Sequence, residues 1–133
     1  MSAYLDKSKK NLSASELLLN KTLPDASIHC SYYAVVQQML HVLFIKLKIS
    51  QQQFDADKRN NNDGTHGYAG KLIGIDLIKR NRADYKWFQR EMPALKKQRE
   101  IADYQDKNMT PDEAVSALSK SNALINLLKE NFK

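Results

Sequence analysis

The three histidines and the single cysteine are the residues of this chain best suited to bind a metal or to transfer protons. His29 and Cys30 are adjacent, so on a helix they project about 100° apart and do not form a chelating pair. His41 lies twelve positions after His29, which is roughly 18 Å along a helix. We therefore expect no metal site and no cofactor. The positions of the three histidines also do not suggest a Ser-His-Asp or Cys-His catalytic arrangement.

All four glycines of the chain fall in one segment, GTHGYAGKLIG, which begins at Gly64. A phosphate-binding loop is one interpretation, because Gly70 is followed by Lys71. The spacing excludes it: five residues rather than four separate Gly64 from Gly70, and Leu72 stands where the loop needs a hydroxyl for magnesium. The segment instead predicts a helix over residues 67–80. Three of its glycines share one face, where another helix could approach closely.

Basic residues are concentrated between Lys71 and Arg99. The formal net charge of the 133-residue chain is +6, and this segment holds nine basic residues against three acidic ones, a net charge of +6 by itself. Such a stripe can follow a phosphate backbone or an acidic partner, although a solvated bundle face is often basic as well. The residues that we expect to bind nucleic acid or phosphate are Lys71, Lys79, Arg80, Arg82, Lys86, Arg90 and Arg99.

The most apolar stretch, residues 28–47, predicts a central helix that positions these side chains. Its large apolar residues form two adjoining stripes at steps of three and four, so other helices must cover most of its sides. A membrane span is the rival interpretation, but two histidines, two glutamines and a serine within it would be costly in hydrocarbon. We expect the N-cap to be Asp25 or Ser27.

The remaining helices are predicted around the central one. Residues 3–21 form a first helix whose apolar side carries Leu5, Leu12, Leu17, Leu18 and Leu19. Residues 50–65 are rich in Asn and predict a long polar loop.

A helical region over residues 84–105 follows, and Pro93 is expected to interrupt it. Its buried side is expected to carry Leu95, Ile101 and Tyr104. The sequence Thr110-Pro111-Asp112-Glu113 has the residues of a capping box and starts the last helix. The fold class is therefore all-α, a single up-and-down bundle of four or five helices over residues 1–133.

The composition indicates a soluble cytoplasmic protein that does not enter a membrane. Hydrophobic residues make up 42% of the chain and charged residues 27%, which is typical of globular domains. A single cysteine cannot form an internal disulfide. The N-terminal segment MSAYLDKSKKNL lacks the apolar core of a secretory signal.

Three short motifs resemble those of the HEPN superfamily of small helical bundles. SYYA at residues 31–34 is similar to the signature of its second helix, and GTHG at residues 64–67 to the His-Gly turn before its third. REIADY at residues 99–104 is similar to the R-x-x-A-D-Y segment of its fourth helix. The resemblance implies a homodimer, a nucleotidyltransferase partner protein, RNA or nucleotide as ligand, and a role in toxin–antitoxin or defence systems.

The same resemblance implies a candidate active site. Ribonucleases of the superfamily need no metal. They carry an Arg that is followed directly by a polar residue, and a His that is separated from this Arg by four to six residues. Here Arg59 is followed by Asn60, and six residues separate Arg59 from His66. Arg59 would bind phosphate and His66 would transfer a proton.

Arg99 and Asp103 are four residues apart on a predicted helix and can form an ion pair. The pair could fix this helix against the central one, or Arg99 could line a phosphate-binding groove.

Three functions remain open. The leading hypothesis is a non-catalytic bundle that dimerises and binds RNA, nucleotide or a partner, since no other residues suggest an active site. The others are a metal-independent ribonuclease and a helical adaptor.

Overall fold

The computed structural model describes residues 2–133, which fold into six α-helices. The helices are α1 (Ala3–Asn20), α2 (Pro24–His41), α3 (Gln51–Asn60), α4 (Thr65–Arg80), α5 (Arg82–Tyr104) and α6 (Pro111–Asn131). A π-helical turn, Val42–Lys46, continues α2. Residues 2–133 contain no strand, which confirms the all-α prediction. None of the described helices combines the length and the apolar character needed to cross a membrane.

The central helix is α2, as the two apolar stripes predict. Helices α1, α4, α5 and α6 all pack against it. Ile28, Tyr32, Val35 and Met39 of α2, and Leu43 of its π-helical continuation, are completely buried. Burying a large apolar side chain contributes about 1.5–3 kcal/mol. The contacts of α2 therefore provide much of the free energy that holds the other helices in place.

Helix α2 begins earlier than predicted, with Leu23 rather than Asp25 or Ser27 at its N-cap. Pro24 occupies the first turn, where its fixed φ suits a helix and its missing N–H costs nothing. The Asp25 carboxylate accepts the backbone N–H of Met109 at 2.9 Å. Ser27 is buried and donates its hydroxyl to the Ser15 carbonyl at 2.8 Å. Both side chains are therefore used in tertiary contacts.

Helix α1 packs on α2 through serines, which the leucine pattern did not predict. The fully buried residues of α1 are Ser8 and Ser15. Of the predicted leucines, Leu12 and Leu19 are partly buried and pack against the core, whereas Leu17 is 58% exposed. The Ser8 hydroxyl donates to the Ala34 carbonyl at 2.7 Å, and the Ser15 and Ser31 hydroxyls are 2.6 Å apart. Small side chains let the two backbones approach closely, and their hydroxyls are satisfied by hydrogen bonds.

The prediction of a long loop after the central helix is wrong, because residues 51–60 form α3. Ser50 caps this helix by accepting the Gln53 N–H at 3.0 Å. The amide of Gln53 also donates to Asp57 one turn later at 2.8 Å, a spacing that stabilises helices. Phe54 is buried between the rings of Phe44 and Tyr68. One buried aromatic residue and local polar pairs thus outweigh the turn-forming asparagines, which begin at the last residue of α3, Asn60.

Helix α5 continues through Pro93, so the predicted interruption is wrong. Proline removes one backbone donor and leaves the carbonyl of Gln89 without its helical partner. Both residues are exposed, so water can reach this part of the backbone. Buried Met92 and Leu95 keep the helix against the core. Tyr104, which we expected to be buried, is 78% exposed.

The predicted start of α6 is confirmed. The Thr110 hydroxyl accepts the Glu113 N–H at 3.1 Å, and the Glu113 carboxylate accepts the Thr110 N–H at 3.0 Å. These two bonds form the capping box. The buried side of α6 then carries Ala114, Ala117, Ser121, Leu124, Ile125 and Leu128.

Ser15→Leu tests the close approach of α1 and α2. The larger side chain has no space against Ser27 and Ser31, so we expect the free energy of unfolding to fall by about 1–3 kcal/mol. Ser13→Leu is the matched control, because Ser13 is exposed on the same helix, and its effect should stay within about 0.5 kcal/mol. Urea unfolding measures both. Equal effects of the two substitutions would contradict serine-mediated packing.

Candidate phosphate-binding site

Three segments that are distant in sequence meet on one side of the bundle. The hydroxyl of Tyr32 on α2 lies 3.1 Å from Nδ1 of His66 on α4. The guanidinium carbon of Arg99 on α5 lies 4.8 Å from the centroid of the Tyr32 ring and 5.8 Å from that of Tyr33. We call Tyr32, Tyr33, His66 and Arg99 the Tyr-His-Arg cluster. Each of the three motifs described above contributes to it.

Arg99 is a buried cation, with 7% of its surface exposed. Its guanidinium lies 3.7 Å from the Asp103 carboxylate, so the predicted ion pair is present. Asp103 also accepts a hydrogen bond from His29 at 2.9 Å when Nδ1 of His29 carries the proton. Within residues 2–133, Nε of Arg99 has no hydrogen-bond partner. Buried donors are normally paired, so Arg99 retains unused hydrogen-bonding capacity.

The cluster favours an uncharged His66. Burial lowers the pKa of this imidazole, and the nearby charges of Arg99 and Lys96 lower it further. Burial also raises the pKa of Tyr32 to about 12, so its hydroxyl keeps its proton at neutral pH. A neutral His66 can accept the Tyr32 hydroxyl at Nδ1 and carry its own proton on Nε2. In this tautomer Nε2 can donate a hydrogen bond. In the other tautomer Nδ1–H donates to the Tyr32 oxygen, and the free Nε2 can accept a proton.

A pocket of about 260 Å³ opens beside the cluster, between α4 and α5. Its polar lining consists of His66, Lys71, Gln89 and Lys96, together with Tyr32, whose side chain is fully buried. Its apolar wall carries Phe88, Met92 and Pro93. No acidic residue of the described chain lines it. A small concave site with an apolar surface and a few cationic groups suits a small anion that also has an apolar part.

Two glycines make room for this pocket. Gly67 and Gly70 both line it, and neither has a positive φ. A methyl group built on either would meet no atom within 4 Å. Neither the backbone conformation nor a close helix contact therefore requires glycine here. Gly67 lies in the first turn of α4, where free N–H groups favour anions.

The third glycine on this face behaves differently. A Cβ at Gly74 would lie 2.7 Å from Nε2 of Gln89 and 3.4 Å from Cε1 of Tyr85. At Gly74 the ends of α5 side chains therefore lie close to α4, whereas no backbone atom of α5 comes within 4 Å of the built Cβ. At Gly67 and Gly70 the same small-residue face leaves empty space instead.

The structure brings only some of the predicted site residues together. His66 and Arg99 belong to the Tyr-His-Arg cluster, and Lys71 lines the pocket while pairing with Asp63 at 2.9 Å. Arg59 is exposed in the last turn of α3 and does not line the pocket. Lys79 lies further along α4.

The other predicted basic residues lie on the surface away from the pocket. Arg80 pairs with Asp76 at 2.8 Å and donates to the carbonyl of Asn131 at 2.8 Å. These contacts give Arg80 a structural role between α4 and the end of α6. Three further basic residues are exposed along α5 and do not line the pocket, namely Arg82, Lys86 and Arg90.

One pocket residue, Lys96, was not predicted as a binding residue. It lies three residues before Arg99 and four after Met92 on α5, which places all three on one helix face. This spacing is the signal that could have identified Lys96.

Searches of the chain against protein-family models, curated proteins and solved structures give no match. The resemblance to the HEPN superfamily rests on the three motifs alone and stays a prediction. Among residues 2–133, no group of three or more His, Cys, Asp or Glu side chains is arranged to hold a metal ion.

Gly70→Ala tests whether glycine is kept for space rather than for stability. Alanine in a helix interior is more favourable than glycine by about 0.5–1 kcal/mol, and Gly70 has room for a methyl group. We expect the free energy of unfolding to rise by about that amount in urea titrations. Gly64→Ala is the control and should bring no gain, because Gly64 is the N-cap of α4 and alanine caps poorly. A destabilised Gly70→Ala protein would contradict the open pocket.

The pKa of His66 predicts how stability changes with pH. Because its pKa is lowered in the folded state, the unfolded chain binds the proton more readily. This contribution to stability is complete above the unfolded-state pKa of about 6.5 and is lost as the pH falls below it. We expect the melting temperature to fall on acidification, and to fall less in His66→Gln. His41 also has a lowered pKa, from burial and from Lys46, and it contributes equally to both proteins. Identical pH profiles would contradict the assignment to His66.

Proposed function

We propose that this chain is a HEPN-like helical bundle that binds a phosphate-bearing ligand, RNA or a nucleotide, in the pocket beside the Tyr-His-Arg cluster. One observation carries the proposal: the pocket combines two lysines and a histidine with an apolar wall, and no acidic residue of the described chain lines it. Such a site attracts the phosphate electrostatically and covers an apolar face of the base or sugar.

Several groups are placed to bind the phosphate. Lys71 and Lys96 each provide a positive charge with rotatable donors. The first turn of α4 adds backbone N–H groups near Gly67 and the positive end of the helix dipole. A phosphate at this point would compete with Asp63 for Lys71. Arg99, held behind Tyr32, adds a permanent charge to the same region.

The apolar residues and the volume of the pocket indicate which part of a ligand can enter it. Phe88, Met92 and Pro93 offer a surface on which a base or ribose can pack. The volume of about 260 Å³ is just below the roughly 300–1,000 Å³ of most small-molecule sites. We expect one nucleotide unit, rather than a folded RNA element, to enter this pocket.

The quaternary structure and the cellular role are proposed from the motif resemblance. On that basis the protein acts as a cytoplasmic homodimer, with a nucleotidyltransferase as its partner, in a toxin–antitoxin or defence system. The solution mass tests the dimer directly, and co-purification with a nucleotidyltransferase encoded beside it tests the partner.

A metal-independent ribonuclease is the second candidate. It is favoured by the neutral His66, which is able to accept a proton beside a proposed phosphate site. The predicted arginine of this mechanism is Arg59, whereas the arginine in the cluster is Arg99. Incubation of labelled RNA in EDTA tests this candidate. Cleavage that His66→Gln abolishes would support it, and Arg59→Gln and Arg99→Lys would then show which arginine is used. RNA that stays intact would contradict this candidate.

Lys96→Gln tests the binding function. Fluorescence anisotropy of a labelled single-stranded RNA, measured at two salt concentrations, should show weaker binding than that of the unmodified protein. The slope of log affinity against log salt should decrease by about 0.7, because one lysine–phosphate contact is lost. Lys97→Gln is the matched control, since Lys97 is the adjacent residue but does not line the pocket. Equal losses in the two variants would show that binding is not located in the pocket.

A further inference from the structure

A second cavity continues the pocket along α4 and α5. It has a volume of about 490 Å³ and shares two lining residues, Lys71 and Gln89, with the first. The two cavities together extend along α4 from His66 to Lys79, and thirteen residues of helix span roughly 20 Å. This length exceeds what a single nucleotide would fill.

The surface of the second cavity is apolar with basic residues at its edge. Ile75 is 58% exposed and Ile78 is 42% exposed, and Tyr85 lies beside them. Lys71 and Lys79 line the same cavity, and no acidic residue of the described chain does so. A second copy of this chain would place like charges against each other here. A polyanion with flat apolar parts is complementary to both features.

Gln89 stands at the junction of the two cavities. Its side chain lies over Gly74, where a Cβ would come within 2.7 Å of Nε2. Glycine at this position therefore lets Gln89 lie flat against α4. The amide of Gln89 is then placed where the chain of a ligand would pass from one cavity to the next. An amide can both donate to and accept from a ribose 2′-hydroxyl, the group that distinguishes RNA from DNA.

We propose that the two cavities form one groove that binds successive nucleotides of a single RNA strand. One nucleotide occupies the pocket beside the Tyr-His-Arg cluster, and the next bases pack on Ile75, Ile78 and Tyr85. Lys79 contacts a further phosphate at the far end. Basic grooves with stacking surfaces are the usual means of binding single strands. The inference rests on the proposed function of the first pocket. It adds that the ligand is a single strand, that this strand runs along α4, and that Lys79 binds one of its phosphates.

Binding of fluorescein-labelled tetrauridylate tests the groove. We expect Lys79→Gln to weaken this binding about threefold or more, as loss of a phosphate contact requires. Lys86→Gln, an exposed lysine that lines neither cavity, should have no effect. Tyr85→Leu should weaken binding about fivefold through loss of stacking. Uridine monophosphate, used as a competitor, should bind more weakly than tetrauridylate and be insensitive to Lys79→Gln.

The outcomes separate this inference from the proposed function. If Lys96→Gln weakens tetrauridylate binding but Lys79→Gln does not, the groove is overturned and the pocket stands. If neither substitution matters, both proposals fail. An RNA duplex that binds as tightly as the single strand would also overturn the groove. So would an oligothymidylate of the same length that binds as tightly as tetrauridylate.

Discussion

The burial of the Arg99 guanidinium against the central helix is the interaction on which the site depends. An isolated buried charge is costly, so it must be compensated by partners. Here Asp103 provides the opposite charge, and the rings of Tyr32 and Tyr33 provide cation–π contacts. Because Tyr32 is itself fully buried in the core, the position of the cation is fixed by the packing of α2.

This arrangement accounts for the properties of the neighbouring groups. The charge of Arg99 helps burial to keep His66 neutral, and the Tyr32 hydroxyl orients the imidazole. Two of the residues that line the cavity next to them, Gly67 and Gly70, have room for a Cβ, so helix packing does not require glycine there. A glycine within a helix costs stability, so this face of α4 is less stable than alanine would make it. The cost is understandable if the space is used for binding a ligand.

The sequence predicted well those parts of the fold whose signals are either strongly periodic or local. The stripes of α2 and the capping box of α6 belong to these parts. The start of α2 could not be predicted, because Asp25 and Ser27 contact Met109 and Ser15, which are distant in sequence. The serine packing of α1 and the existence of α3 likewise depend on tertiary contacts. Pro93 was given too much weight, since buried residues on both sides maintain α5.

For the site, the sequence predicted His66 and Arg99 as candidate residues, but it gave Tyr32 no role and did not predict their geometry. That Arg99 stacks on Tyr32 while Tyr32 bonds His66 follows from how three helices cross, which no spacing within one helix reveals. Lys96 shares a helix face with Arg99, three residues later, and this spacing could have identified it. Arg59, chosen by its distance from His66 in sequence, is exposed in the last turn of α3 and does not line the pocket.

Amide NMR spectroscopy during titration with uridine monophosphate tests the central claim most directly, since it reports the location of binding residue by residue. If the pocket binds the phosphate, the largest shifts should occur at the amides of His66, Gly67, Gly70 and Lys96. Residues of the distant face of α1, such as Lys9 and Ser13, should not shift. Shifts confined to other surfaces, or no shifts at a saturating concentration of nucleotide, would contradict the account.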